Sequence, residues 1–172
     1  MARKKKTEAD NEWAEALLGS ITTLFDENAH LAADDINGKS VLVIEPMEDN
    51  ENFPEDLTVS VDLLGDGNAV VKLLATVYTG LPEDRTADME RLLPYLNEYL
   101  TMGHFDLLPE DGALFLSYAF VMNEEWPMES FLRIFTQTFD EITSTATDRK
   151  ELMQSIMRGE TTVGKLIERD DF

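Results

Sequence analysis

The stretch Gly103–Met122, GHFDLLPEDGALFLSYAFVM, decides the predicted fold because it has the pattern of a β-hairpin. Its turn is Pro109–Gly112, in which the proline presets φ for the first corner of a type I turn. Gly112 supplies the left-handed residue that closes the loop with a bulge. Both arms are apolar, so other elements must pack on them. The flanking segments Asp88–Leu100 and Pro127–Ile142 have the helical period that could provide this packing.

Upstream of the hairpin, the pattern predicts one helix and then a three-stranded meander. The helix runs from about Asp10 to Glu27, and its apolar stripe is Trp13, Leu17, Ile21, Leu24 and Phe25. We expect His30 in a loop and Met47–Asp56 in a solvated acidic loop. The expected strands are Ser40–Glu45, Leu57–Leu64 and Ala69–Thr79, and the last two must be antiparallel neighbours because the turn between them is short.

Around and after the hairpin, the helical segments have recognisable boundaries. Pro94 predicts a kink or a late start in the second helix. Pro127 suits the first position of a third helix, whose stripe is Phe131, Ile134, Phe135, Phe139 and Ile142. Asp148 and Glu151 resemble a capping pair for a separate fourth helix over Thr147–Arg158, with Gly159 as its stop. One more helical turn is expected at Val163–Ile167.

The predicted fold class is therefore α+β, an antiparallel sheet with helices in the order α-β-β-β-α-β-β-α plus a C-terminal helical appendage. We divide the chain into a disordered basic tail at residues 1–9, an α+β domain at residues 10–145, and an appendage with an acidic end at residues 146–172. The tail carries the basic cluster Arg3–Lys6, and no fixed repeat is present.

The charge of the chain is strongly negative, with 35 acidic residues against 14 basic ones and a net charge of −21. Such a surface repels nucleic-acid phosphates and anionic membranes and attracts basic partners. No stretch approaches the roughly 20 apolar residues that span a bilayer. The chain has no cysteine, which excludes disulfides and thiolate zinc sites and is compatible with a reducing compartment. We expect a soluble, cytoplasmic protein that binds neither nucleic acid nor membrane.

Motifs for catalysis or cofactor binding are incomplete. The segment Gly65–Val70 begins like a dinucleotide fingerprint, but position 70 is valine and the segment opens a strand. A calcium loop starting at Asp62 would have leucine at two ligand positions. His30 and His104 lack the spacing of a zinc motif, and no serine elbow occurs. We therefore expect no enzyme activity, no cofactor and no metal, although a hydrolase with a carboxylate pair stays open.

The aromatic end of the hairpin is a candidate partner-binding site. Trp126 lies in the link between the second arm and the aromatic helix, where it could anchor a partner or cover the helix end. Phe120 and Met122 precede it on the strand. We predict these three residues as partner-binding residues.

Three short stretches follow one another along the predicted elements: Leu96-Asn97, then Gly103–Asp106, then Asp111-Gly112 before an apolar strand and an amphipathic helix. In these stretches, and in its element order over roughly Asn11 to Thr145, the chain resembles the YbjN-like bacterial family, whose fold is that of the type III secretion chaperones. The resemblance implies a small, acidic, non-enzymatic protein, often a homodimer, that binds polypeptide segments.

The sequence favours a protein-binding module of chaperone-like or regulatory type. It would work by strand addition or by docking an amphipathic segment into an apolar groove. The alternative is an acidic inhibitor or immunity-type protein that neutralises a basic enzyme. The two differ in their response to salt, because charge complementarity is screened and an apolar groove is not.

Overall fold

The computed structural model describes residues 8–25, 28–33, 40–45, 54–98 and 100–169. Most of the predicted basic tail and of the acidic loop Met47–Asp56 lies outside these residues. The elements, in chain order, are α1 (Glu8–Thr22), β1 (Ala29–Ala33), β2 (Ser40–Ile44), β3 (Asp56–Gly65), β4 (Asn68–Tyr78), α2 (Thr86–Glu98), β5 (His104–Leu108), β6 (Ala113–Asn123), α3 (Met128–Met157) and α4 (Val163–Arg169).

The strands form one antiparallel sheet of six, in the order β1-β2-β3-β4-β6-β5. This confirms the predicted α+β class and the predicted meander of β2, β3 and β4. The hairpin is confirmed as well: β5 and β6 pair from His104↔Ser117 to Leu108↔Ala113. The Asp111 amide donates to the Leu108 carbonyl at 3.2 Å, as a type I turn with Pro109 at its first corner requires, and Gly112 follows with a φ of 58°.

The hydrophobic core lies between the sheet and the helices. Helix α1 packs on β2 and β3, α3 packs on β4 and β6, and α2 lies beside β5. On β3, Leu57, Val59 and Val61 are buried while the residues between them are half-exposed. Strand residues therefore alternate between a face covered by helices and a face that the described helices leave open.

Strand β1 was not predicted, because His30 was expected in a loop. The segment Ala29–Ala33 is rich in alanine, which has a low intrinsic preference for strands. Its pairing with β2, from Ala29↔Ile44 to Ala33↔Ser40, makes it a strand. Tertiary pairing therefore overrides local propensity here, and the sheet gains a strand that the sequence pattern did not indicate.

Helix α3 is longer than predicted and replaces two separate helices. Thr143 and Thr147 lie in its middle, and each donates its hydroxyl to a carbonyl one turn earlier. Asp148 and Glu151 lie inside this helix, so their prediction as a capping pair was wrong. The helix ends at Met157, just before Gly159 with its positive φ. It crosses residue 145, where the predicted domain 10–145 ends; that division of the chain stays a prediction.

The ends of two other helices also differ from the sequence analysis. Helix α1 ends at Thr22, so Phe25 lies beyond it and packs on Phe139 with 4.8 Å between ring centroids. Helix α2 begins at Thr86 and contains Pro94, so the predicted late start was wrong. The helical turn expected at Val163–Ile167 is confirmed as α4, which packs against α2.

Candidate functional site

The open face of the sheet is the first candidate site. In an antiparallel pair, residues directly opposite each other point to the same face. Lys72 lies opposite Ala119, and Leu74 lies opposite Ser117, and all four belong to the face without helices. Val121, two residues further along β6, is 55% exposed. A continuous strip of small and apolar side chains therefore faces away from the core.

A shallow cavity of about 760 Å³ lies on this face, and we call it the open-face groove. Its lining comes from strands β2 to β6 and the residue before β5: Val41, Thr58, Ser60, Lys72, Leu73, Leu74, Gly103, His104, Ser117, Tyr118 and Ala119. The volume falls within the range of about 300–1,000 Å³ that ligand sites occupy. Small side chains such as Ser117 and Ala119 form the floor, so a ligand can approach the strands closely.

The charges at the groove are paired. Lys72 Nζ lies 2.6 Å from Asp62 Oδ2, and His104 Nε2 lies 2.7 Å from Asp106 Oδ2. No carboxylate is among the described residues that line the groove. In a chain of net charge −21, the two carboxylates beside the groove, Asp62 and Asp106, are thus bonded to Lys72 and His104. The groove therefore suits an uncharged or apolar ligand surface better than a strongly cationic one.

A second, smaller cavity of about 520 Å³ lies between β6 and α3. The Tyr118 hydroxyl donates to Met102 Sδ at 2.6 Å beside it. Burial, with a smaller contribution from the negative charge of Glu141, raises the pKa of Tyr118. The phenol therefore keeps its proton and acts as a donor. The described residues that line this second cavity include one carboxylate, that of Glu141. They therefore lack the carboxylate pair that a hydrolase would need.

The motif residues quoted for the family resemblance meet at the β5 edge. The Asn97 side-chain amide donates to the Phe105 carbonyl at 3.1 Å, and the Phe105 amide donates to Asn97 Oδ1 at 2.6 Å. Gly103 precedes the strand with a φ of 78°, and a Cβ there would lie 2.7 Å from the Ser117 carbonyl oxygen. These residues therefore fix how α2 joins the sheet.

The two histidines lie at opposite edges of the sheet. The register His30↔Val43↔Thr58↔Leu74↔Ser117↔His104 puts them in one row across six strands. With roughly 4.8 Å between strands, they are about 24 Å apart and cannot share a metal ion. Within the part of the chain that the structure describes, no group of three or more potential ligands comes together.

The three predicted partner-binding residues do not form one exposed surface. Met122 is 2% exposed in the core, and Phe120 is half-buried with its ring 6.3 Å from that of Phe131. Trp126 is 43% exposed in the turn between β6 and α3. A role for these residues in partner binding stays a prediction. Sequence reasoning did not single out Leu74, Ser117 and Ala119. The available signal was the small side chains at positions 117 and 119 of β6.

The fold and this face define an α+β protein with a sheet surface suited to binding. None of the described helices is long and apolar enough to cross a membrane. Residues 53–148, more than half of the chain, match the YbjN family, described as "Putative bacterial sensory transduction regulator". The chain belongs to the YbjN family, which confirms the resemblance seen in the sequence. The description of the family is that of a regulator.

One solved structure is also similar in fold. It is described as "Crystal structure of YbjN, a putative transcription regulator from E. coli", and it shares 12% sequence identity with this chain. The match covers 81% of this chain and 92% of that one, with a TM-score of 0.49. A comparison with curated proteins gives no match.

Proposed function

We propose that this protein is a non-enzymatic regulatory module that binds a polypeptide segment of a partner in the open-face groove. The observation that carries the proposal is that, in a strongly acidic chain, no carboxylate lies among the described residues that line the groove, and its lysine, Lys72, is paired with Asp62. A cytoplasmic location, a homodimer and a chaperone-like mode of action belong to the same proposal. The regulator-like character of the family supports it.

The groove offers both apolar area and polar partners to a bound segment. Leu74 in the groove is 36% exposed, and Val121, beside the groove on the same face, is 55% exposed, so each has side-chain surface to bury against a ligand. Thr58, Ser60 and Ser117 bring hydroxyl groups, which can donate or accept hydrogen bonds. An amphipathic segment with apolar residues toward Leu74 fits this mixture.

The competing function is that of an acidic inhibitor of a basic enzyme, which the net charge of −21 favours. It places the partner on the charged outer surface rather than in the groove. The two functions predict different dependences of the affinity on salt. Salt screens exposed charges more than a Debye length apart, and it does not screen the burial of apolar surface.

The test begins with a photo-crosslinking side chain placed in the native host at Ala119, at Trp126, or at Glu90 on the outer side of α2. The polypeptide captured from position 119 and not from position 90 is then purified, and its affinity is measured for the wild type, Ala119→Arg and Glu90→Arg. We expect Ala119→Arg to weaken binding about tenfold or more, since a buried arginine costs more than the 1.4 kcal/mol that this factor represents.

The salt dependence decides between the two candidate functions. The groove predicts little change in affinity between about 50 and about 500 mM salt. A steep loss with salt, together with an equal effect of Glu90→Arg, would establish the acidic-inhibitor function instead. Crosslinking from position 126 alone would favour the site predicted from the sequence.

A further inference from the structure

The two edges of the sheet are protected very differently. An edge strand exposes unpaired backbone N–H and C=O groups, which can pair with another chain. At the β5 edge, Asn97 occupies both the N–H and the C=O of Phe105, as a neighbouring strand would. Helix α2 lies alongside the same strand. Asn97 and α2 therefore protect this edge at Phe105.

The β1 edge has no such protection among the described residues. β1 is the terminal strand of the sheet, with β2 as its neighbour on one side. Proteins protect edge strands with lysine, proline or a bulge, and the sequence of β1, AHLAA, contains neither of these residues. Its register with β2 runs without a shift from Ala29 to Ala33. The strand is therefore regular over its five residues.

At this edge, Leu31 lies on the covered face of the sheet but is only partly buried. It lies opposite Leu42, which is fully buried, so it points to the same side as the core. Nevertheless, Leu31 is 53% exposed. A strand added outside β1 would bring a side chain next to Leu31 and continue the buried row.

We propose that β1 accepts an extended, basic segment of a partner protein by strand addition. The backbone of β1 provides the hydrogen bonds, and Leu31 provides the apolar contact. The charge of the chain selects the partner, because a net charge of −21 opposes pairing of β1 with a second copy and favours lysine or arginine. Glu45, 63% exposed at the end of β2, carries one of these charges beside the strand.

This site rests on the proposed polypeptide-binding function but uses a different surface from the open-face groove. Side chains of the groove floor, such as Ala119, lie on the central strands. A segment on β1 extends the sheet sideways and does not need to enter the groove. The two sites can therefore be tested independently.

The probe is a fluorescent peptide, KKVTVTKK, whose alternating valines and terminal lysines match the proposed partner. Its affinity is measured by fluorescence anisotropy at low salt for the full chain. Leu31→Lys places on β1 the residue that blocks natural edges, and Leu108→Lys is the matched control on β5, where Leu108 is 48% exposed. Both leucines are about half exposed, so melting curves should show both variants folded.

We expect Leu31→Lys to weaken peptide binding about tenfold or more, since the variant loses an apolar contact and gains charge repulsion. Leu108→Lys and Ala119→Arg should leave the affinity within about twofold, a change below 1 kcal/mol. The peptide EEVTVTEE should bind more weakly than KKVTVTKK. The amides of β1 that do not bond to β2 should become protected from hydrogen exchange when KKVTVTKK binds.

The proposal is overturned if KKVTVTKK does not bind, or if Leu108→Lys weakens binding as much as Leu31→Lys. It is also overturned if the free protein is a dimer in light scattering that Leu31→Lys dissociates, because the occupant of β1 is then a second copy. Binding that Ala119→Arg abolishes and Leu31→Lys does not would place the peptide in the groove. That result overturns the β1 site and leaves the proposed function intact.

Discussion

Replacing Asn97 by alanine removes the side chain that closes the β5 edge. In the wild type, Asn97 makes two hydrogen bonds with the backbone of Phe105, at 3.1 Å and 2.6 Å. The Phe105 ring is 1% exposed in the core, while its backbone lies at the edge of the sheet. We therefore expect Asn97→Ala to destabilise the protein through the edge rather than through a core cavity.

The expected loss follows from the two hydrogen bonds. Each contributes a net 0.5–1.5 kcal/mol, which gives roughly 1–3 kcal/mol for the pair. Asn97 lies in the last turn of α2, where alanine is the better helix former by at most about 0.7 kcal/mol. The free energy of unfolding should fall by about 0.5–2.5 kcal/mol, because the bonds outweigh the helix term.

Urea denaturation measures this change, and hydrogen exchange locates it. The midpoint should decrease at constant slope, and the Phe105 amide should exchange faster than in the wild type. Glu98→Ala, an exposed neighbour on the same helix, is the control and should leave both quantities nearly unchanged. A midpoint for Asn97→Ala equal to that of the control, or unchanged exchange at Phe105, would refute the role assigned to Asn97.

Two further predictions concern a glycine and an ion pair. Gly103→Ala should lower the free energy of unfolding, measured by urea denaturation, by about 2 kcal/mol or more, because φ is 78° and the added Cβ meets a backbone oxygen. Gly19→Ala is the control, because a Cβ at position 19 enters open space. The hydrogen bond from Arg158 lowers the pKa of Glu160. The pair therefore stabilises the fold at pH values above the ordinary pKa of glutamate, and this stabilisation is lost as the pH falls through the lowered pKa of Glu160. Arg158→Gln should return the pKa of Glu160, followed by carboxyl NMR, toward its ordinary value; an unchanged titration curve would contradict this.

Much of the fold could be predicted because the local signals agree with one another. Proline and glycine at the corners of the β5–β6 turn fix the hairpin, and the spacing of Phe131, Phe135 and Ile142 fixes the buried side of α3. These residues act over a few positions, so a single sequence carries the information. Strand β1 depends on pairing with a distant segment, and Ala29–Ala33 contains little that indicates it.

The same difference between local signals and long-range packing explains why the length of helix α3 was not predicted. A run of threonine and serine around Thr145 lowers helix propensity, and local reasoning therefore breaks the helix there. Ile142, Ala146, Met153 and Ile156 nevertheless continue one buried side across the run. Packing against the core supplies more free energy than the propensity removes, and this packing is invisible until the sheet is in place.

The candidate site was missed for a reason that lies in β6 itself. The sequence ALFLSYAFVMN is apolar at both odd and even positions, so its period does not say which side the helices cover. Phe120 and Met122, which were predicted to bind a partner, lie on the covered side, where the Phe120 ring packs on Phe131 of α3. The open side instead carries Ser117, Ala119 and Val121, which are small enough to leave a groove. On a strand whose two faces are both apolar, the smaller side chains along one face therefore indicate which side the helices leave open.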